Sequence, residues 1–228
     1  MTRPARASAL LLDLDGTLLD TAPDMALALN RLRVEQGHAP LPFDSIRPHV
    51  SHGAAALVRL GFGAPPTAEF ERLRRRFLDL YRGGLAGATR LFAGFEAVLA
   101  TLDAARMPWG VVTNKPGWLT TPLLAELGLL ERAACVVSGD TVAERKPHPL
   151  PLLHAATLIG REPGACLYAG DAERDIVAGR AAGMRTAAVR FGYLAEGEDP
   201  AAWQPDEIVA APAELLALLA LAAEPGRG

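Results

Sequence analysis

Ala9-Leu10-Leu11-Leu12-Asp13-Leu14-Asp15-Gly16-Thr17 is a short apolar run that breaks into two carboxylates and a glycine. Strand alternation, continued past Leu12, puts Asp13 and Asp15 on one side, and Gly16 frees the backbone to turn at once. Two acids this close repel unless a cation holds them. A hard divalent ion with oxygen ligands answers that need, and magnesium suits a site built from few carboxylates plus a phosphate. The bland alternative is a strand running into an Asx-type turn. A calcium-binding EF-hand loop fits poorly, because it needs a glycine at its sixth position and a glutamate at its twelfth.

Outward from this run the pattern repeats. Trp109 to Thr113, Ala134 to Val137, Ala165 to Ala169 and Thr186 to Val189 are further short apolar runs. Between them lie helical patterns at Gly94 to Ala105, Leu119 to Leu127, Leu152 to Leu158 and Ile176 to Ala182, several closed by glycine at Gly128, Gly160 and Gly183. Such alternation predicts an α/β fold with a doubly wound parallel sheet. From about Ala22 to Thr89 it fails: Met25 to Gln36, Ala54 to Leu60 and Glu69 to Tyr81 have helical period, and no segment reads as a strand. An all-helical insert is expected there, with Gly83, Gly84 and Gly87 marking the return to the core. A last helix, Ala213 to Ala223, and a polar tail, Pro225 to Gly228, are expected to end the chain.

The 228 residues, half of them apolar, suit one sizeable domain or a core carrying a smaller insert. A formal net charge of −3, with the cations spread along the chain, argues against nucleic acid and acidic membranes as primary partners. The run Ala9 to Leu12 is too short for a signal peptide or a membrane span, so a cytoplasmic protein is expected. Cys135 and Cys166 sit in apolar stretches and read as small buried hydrophobes, in keeping with a reducing compartment.

Open α/β sheets bind ligands outside the carboxyl ends of their strands, and here those ends are polar. The second run finishes in Thr113-Asn114-Lys115, where a hydroxyl and fresh backbone N–H groups can hold phosphate oxygens, although both are also ordinary turn residues. Lys146 follows the third run in Glu144-Arg145-Lys146-Pro147-His148-Pro149, a loop stiffened by proline. Of 23 Lys plus Arg, only Lys115 and Lys146 are lysine. A compact ammonium in so arginine-rich a chain suggests a steric or point-charge demand. The fourth run ends in Gly170-Asp171 and continues through Asp175 into a helix, where negative charge is favoured; Asp171 as a simple N-cap is the alternative. Together, a carboxylate pair, a hydroxyl, a lysine and a further carboxylate at four strand mouths form a phosphoryl-transfer site.

In that order the segments Asp13 to Asp20, Val112 to Lys115, Lys146 to Pro149 and Gly170 to Asp175 resemble the four motifs of haloacid dehalogenase superfamily phosphatases. The resemblance implies a Rossmann-like core, residues 1–21 and 90–228, with a helical cap inserted at 22–89. Within the superfamily the chain is similar to phosphoglycolate phosphatases, through Asp20 to Asp24, Val112 to Pro116 and Lys146 to Pro149. It is also similar to N-acetylmuramic acid 6-phosphate phosphatases, through Trp109 to Pro116, Gly183 to Tyr193 and a tryptophan near Trp203.

Carried over by motif, Asp13 is the expected nucleophile and Asp15 the general acid, then base. The resemblance implies Mg²⁺ held by Asp13, the Asp15 carbonyl and Asp171, with Thr113, the Asn114 backbone and Lys146 on the phosphoryl oxygens and Asp175 and Thr17 supporting. Asp15 argues against a dehalogenase. Ser51, His52 and Gly53 lie where related proteins carry a specificity loop, and are expected to touch the organic part of a small-molecule phosphomonoester. The cap holds no lysine, against a cap Schiff base. Arg72, Arg74, Arg75 and Arg76 are expected to be a solvated helix face. A sugar-phosphate mutase and a non-catalytic binding protein are the alternatives, and a monomer or homodimer is expected.

Overall fold

A strand buried on both faces must be apolar throughout, and β1 (Ala9–Leu12) is fully buried. In the computed structural model, which describes residues 6–221, β1 lies between β4 (Trp109–Val112) and β6 (Cys166–Gly170), parallel to both. With β5 (Cys135–Val137), β7 (Arg185–Val189) and β8 (Glu207–Val209) they form a six-stranded sheet of order β5-β4-β1-β6-β7-β8, every pairing parallel. The order reverses beside β1, which opens a crevice at its carboxyl end. Alternate side chains enter opposite layers. Leu10, Leu12, Val111 and Leu167 pack with Phe95 and Leu99 of α5 (Phe95–Ala104) and Leu123 of α6 (Gly117–Glu126). Ala9, Leu11, Val112 and Tyr168 pack with Leu152 of α7 (Leu150–Leu158) and Ala178 of α8 (Glu173–Ala181).

The chain leaves the core through β2 (Leu19–Asp20) and returns through β3 (Arg90–Leu91), and the two pair antiparallel as a narrow neck. Between them run α1 (Ala22–Glu35), α2 (Phe43–Ile46), a 3₁₀ segment (Arg47–His52), α3 (Gly53–Phe62) and α4 (Thr67–Arg82). These helices share their own core of Leu29, Leu32, Leu57, Val58, Leu73 and Phe77. Asp24 locks the neck. Its carboxylate accepts the Ala88 and Thr89 N–H groups and the Thr89 hydroxyl, at 2.7–3.1 Å.

The expected helix Ala213 to Ala223 is corrected over residues 213–221, and 222 and 223 lie outside the described residues. Pro212–Leu218 is a 3₁₀ segment, and Leu219 then forms a parallel bridge with Ala7, which Ala220 N–H secures at 2.7 Å on the Ala7 carbonyl. Pairing with the start of the chain draws the backbone out of helix. The expected tail Pro225 to Gly228 lies outside the described residues.

Candidate active site

Asp13 continues the β1 ladder, its N–H donating to the Ala169 carbonyl at 2.9 Å. Its carboxylate accepts the Leu14 N–H at 2.7 Å and lies 2.8 Å from the Lys146 ammonium. Burial pushes the Asp13 carboxyl up, against the opposing pull of Lys146. Asp15 has partners of its own. The chain bends after Leu12, and Asp15 Oδ1 accepts the Thr21 hydroxyl at 2.7 Å and the Lys115 ammonium at 2.9 Å. Both carboxylates nonetheless face one cavity. Gly16 makes the bend at φ +86, where a side chain is strained and a Cβ would lie 2.0 Å from Asp171 Oδ2.

Lys146 is presented by a loop that Asn114 clamps at both ends of the lysine's backbone: Oδ1 accepts its N–H at 3.0 Å and Nδ2 donates to its carbonyl at 2.9 Å. The Asn114 side chain is thereby committed to the loop. Four oxygens surround the Lys146 ammonium, those of Asp13, Asp175 and Tyr168 at 2.8 Å and the Val112 carbonyl at 2.9 Å. Thr113 is buried in the cavity wall, its hydroxyl oxygen accepting the Lys115 N–H at 3.1 Å.

Asp171 ends β6. One oxygen, Oδ2, accepts the Ser51 hydroxyl at 2.5 Å and the Tyr193 N–H at 3.0 Å; the other, Oδ1, is buried without a partner among the described residues, as is the Thr17 hydroxyl. Burial, then the charges of Asp13 and Asp175, push the Asp171 carboxyl up to about 7. Carboxylate oxygens of Asp13, Asp171 and Asp175 lie within 4.8 Å of one another. An orphaned oxygen among three crowded acids calls for a hard cation, and the donor set fits a divalent ion. Asp175 is engaged by Lys146, by Tyr168 at 3.2 Å and by the Ala172 N–H at 3.1 Å.

The cavity, about 310 Å³, lies between sheet and helices. Ser51, His52 and Gly53 line it where the 3₁₀ segment passes into α3, Gly53 at φ +75. Ser51 reaches Asp171, and its carbonyl accepts the Arg174 guanidinium at 2.7 Å. Partial burial, then Arg174, holds the His52 imidazole below its ordinary pKa.

Three further residues converge here without having been assigned a role from sequence. Lys115 joins Asp15 to the Tyr81 hydroxyl, 3.0 Å away on α4, and burial sets the Tyr81 phenol up to about 12. Arg174 lines the cavity and donates to the Ser51 carbonyl. The scarcity of lysine applies to Lys115 as much as to Lys146; Tyr81 and Arg174 left no comparable mark. The arginine cluster is corrected in part. Arg72 and Arg76 pair with Glu69 and Glu35 at the surface, whereas Arg74 lines the cavity.

Among the described residues no helix is long and apolar enough to cross a membrane. The chain is 45% identical over 207 residues to a phosphoglycolate phosphatase of Xanthomonas campestris pv. campestris, covering 91% of this chain and 94% of that one. It is 43% identical over 215 residues to an N-acetylmuramic acid 6-phosphate phosphatase of Pseudomonas aeruginosa, covering 94% and 95%. A solved structure described as a predicted phosphoglycolate phosphatase, from Haemophilus somnus, superposes with a TM-score of 0.84 at 26% identity, covering 94% of this chain and 98% of that one. The haloacid dehalogenase-like hydrolase model matches residues 10–189, most of the sheet and every carboxylate described above, so the chain belongs to that family.

Proposed function

We propose that the protein is a Mg²⁺-dependent phosphomonoester hydrolase working through an aspartyl-phosphate on Asp13, with 2-phosphoglycolate or N-acetylmuramic acid 6-phosphate as substrate. The observation that carries this is the Asp13 carboxylate, buried at a strand end against Lys146 and beside the orphaned oxygen of Asp171. Relatives of both substrate types support it. Residues 22–89 serve as the cap and residues 1–21 and 90–228 as the catalytic core, in a cytoplasmic enzyme.

Asp13 attacks phosphorus as the ester P–O bond breaks, and Asp15 delivers a proton to the departing alkoxide. Asp15 then takes a proton from water, which attacks the same phosphorus, cleaves the acyl phosphate and restores the Asp13 carboxylate. Thr113, the Asn114 backbone and Lys146 hold the phosphoryl oxygens; Asp175 fixes Lys146, and Thr17 supports the turn. Asp13, Asp171 and the Asp15 carbonyl hold Mg²⁺, whose charge offsets the repulsion between carboxylate and phosphate. Ser51, His52 and Gly53 close the cavity over the organic part, excluding water.

The test is phosphate release from both esters with Mg²⁺, with chelator, and in Asp13→Asn. Turnover of at least one ester, abolished by chelator and by the substitution, is expected. Full activity in Asp13→Asn rules out the mechanism.

A further inference from the structure

Helix α4 lays Arg74, Leu78 and Tyr81 along one wall of the cavity, at the spacing of a single helix face. Tyr81 marks the inner end, since its hydroxyl meets Lys115 at 3.0 Å and Lys115 meets Asp15 at 2.9 Å. Arg74 stands seven residues earlier, about 10 Å along the helix axis at the usual rise. The reacting carboxylates therefore lie at one end of this wall and a guanidinium at the other.

The inner cations are engaged by oxygens of the site: Lys146 by the buried Asp13 and Asp175, Lys115 by the half-buried Asp15, and Arg174 by the Ser51 carbonyl. Arg145 donates to the Gly139 carbonyl. Arg74 is held differently. Its partner is Glu71, one turn back on the same helix at 2.8 and 3.0 Å, and the two side chains are 38% and 43% exposed. A pair this exposed is screened and contributes little. A ligand carboxylate can displace Glu71 and take the guanidinium fork, leaving no buried charge behind.

We infer that Arg74 is a specificity-determining residue that reads a carboxylate on the organic part of the substrate, and that the substrate is the phosphomonoester of a sugar-sized acid. The inference rests on the hydrolase reading above and narrows it. On α4, Leu78 stands between the two ends, and Val50, Ala54 and Leu119 add apolar lining elsewhere in the cavity, as the face of a ring requires. In 2-phosphoglycolate a single carbon separates the carboxylate from the ester oxygen, too short a link to occupy both ends. In N-acetylmuramic acid 6-phosphate the ring separates them.

The experiment compares kcat/KM for N-acetylmuramic acid 6-phosphate with that for N-acetylglucosamine 6-phosphate, which lacks the lactyl carboxylate. The native chain is expected to prefer the acid by about tenfold, the scale of one partly screened charge-assisted contact. Arg74→Gln erases that preference, chiefly through KM on the acid. Glu71→Gln, which removes the internal competitor, enlarges it, and a merely structural role for Arg74 gives no such opposite response. A preference unchanged in Arg74→Gln, or absent from the native chain, overturns the inference. Calorimetric titration of both esters into Asp13→Asn, with and without Arg74→Gln, reads the same ratio without turnover. If neither sugar ester is hydrolysed while 2-phosphoglycolate is, the inference fails and the hydrolase reading stands; if none of the three is hydrolysed, the hydrolase reading fails and the substrate assignment that rests on it fails too, whatever the binding preference.

Discussion

Ser51 on the helical insert donates its hydroxyl to Asp171 Oδ2 of the core across 2.5 Å, and Arg174 holds the carbonyl of the same serine at 2.7 Å. The insert is thus tied to the carboxylate cluster by one side-chain bond and one backbone bond. Ser51→Ala removes the first and leaves the second. It is expected to lower stability by about 1 kcal/mol and to raise KM for the phosphate ester, because the segment that closes the cavity is less firmly held. Hydrogen exchange at residues 47–53 and steady-state kinetics check this; unchanged exchange and KM would show that the tie is incidental.

Lys146 offers a sharper test, since its ammonium lies 2.8 Å from both Asp13 and Asp175 and all three side chains are at most 4% exposed. Lys146→Met strands two facing carboxylates in the interior. Breaking a buried pair in this way costs about 3–5 kcal/mol, and turnover should fall by about 10²-fold or more. Lys146→Arg is not expected to restore it, because a planar guanidinium cannot serve four oxygens arranged around one nitrogen. Adding Asp13→Asn to Lys146→Met should recover part of the stability, though not the activity. Chemical denaturation of the single and double variants reads this directly.

Strands β1, β4, β5, β6 and β7 were legible because a parallel strand buried on both faces must be an unbroken apolar run, and the carboxylates adjoin those runs in the sequence. β8 was not, being three residues long with Glu207 at its head. The neck strands have two residues each and no pattern to show. Asp13 and Thr113 line one cavity, and Lys146 and Asp171 pack close to Asp13, because the sheet order brings their strands or following loops side by side. Tyr81 and Lys115 meet across 34 residues only when α4 folds over the end of β4, and nothing local announces that. Among four nearby arginines the sequence could not tell which faced inward; Arg74 does so because it shares a face with Leu78 and Tyr81.

Metal affinity should depend on pH through Asp171. Its folded pKa of about 7 exceeds the unfolded value of about 3.9. Between those values the folded state binds more protons than the unfolded one, so stability without metal falls as pH rises through that window. Asp13, also pushed up by burial, acts in the same direction. Mg²⁺ requires the deprotonated carboxylates, so its binding releases protons and tightens as pH rises. The difference in melting temperature between Mg²⁺-loaded and chelated protein is expected to widen from about pH 5 to about pH 8. A difference independent of pH would remove these carboxylates from the metal site.

Asp171 is also wedged between two glycines, and this separates local strain from loss of the site. A Cβ on Gly192 would lie 2.4 Å from the Asp171 Cβ and 2.5 Å from the Gly16 carbonyl oxygen, neither of them the free end of a flexible chain. Gly192→Ala must therefore move the carboxylate itself. A stability loss of about 1–3 kcal/mol is expected from overpacking, together with weakened Mg²⁺ binding. Gly160 provides the contrast: it adopts φ +63 at the end of α7, and a Cβ there meets nothing within 4 Å. Gly160→Ala should cost about 1 kcal/mol through backbone strain alone and leave Mg²⁺ affinity intact. Calorimetric Mg²⁺ titration of the two variants distinguishes the cases, and equal affinities would mean that Asp171 does not need the position these glycines give it.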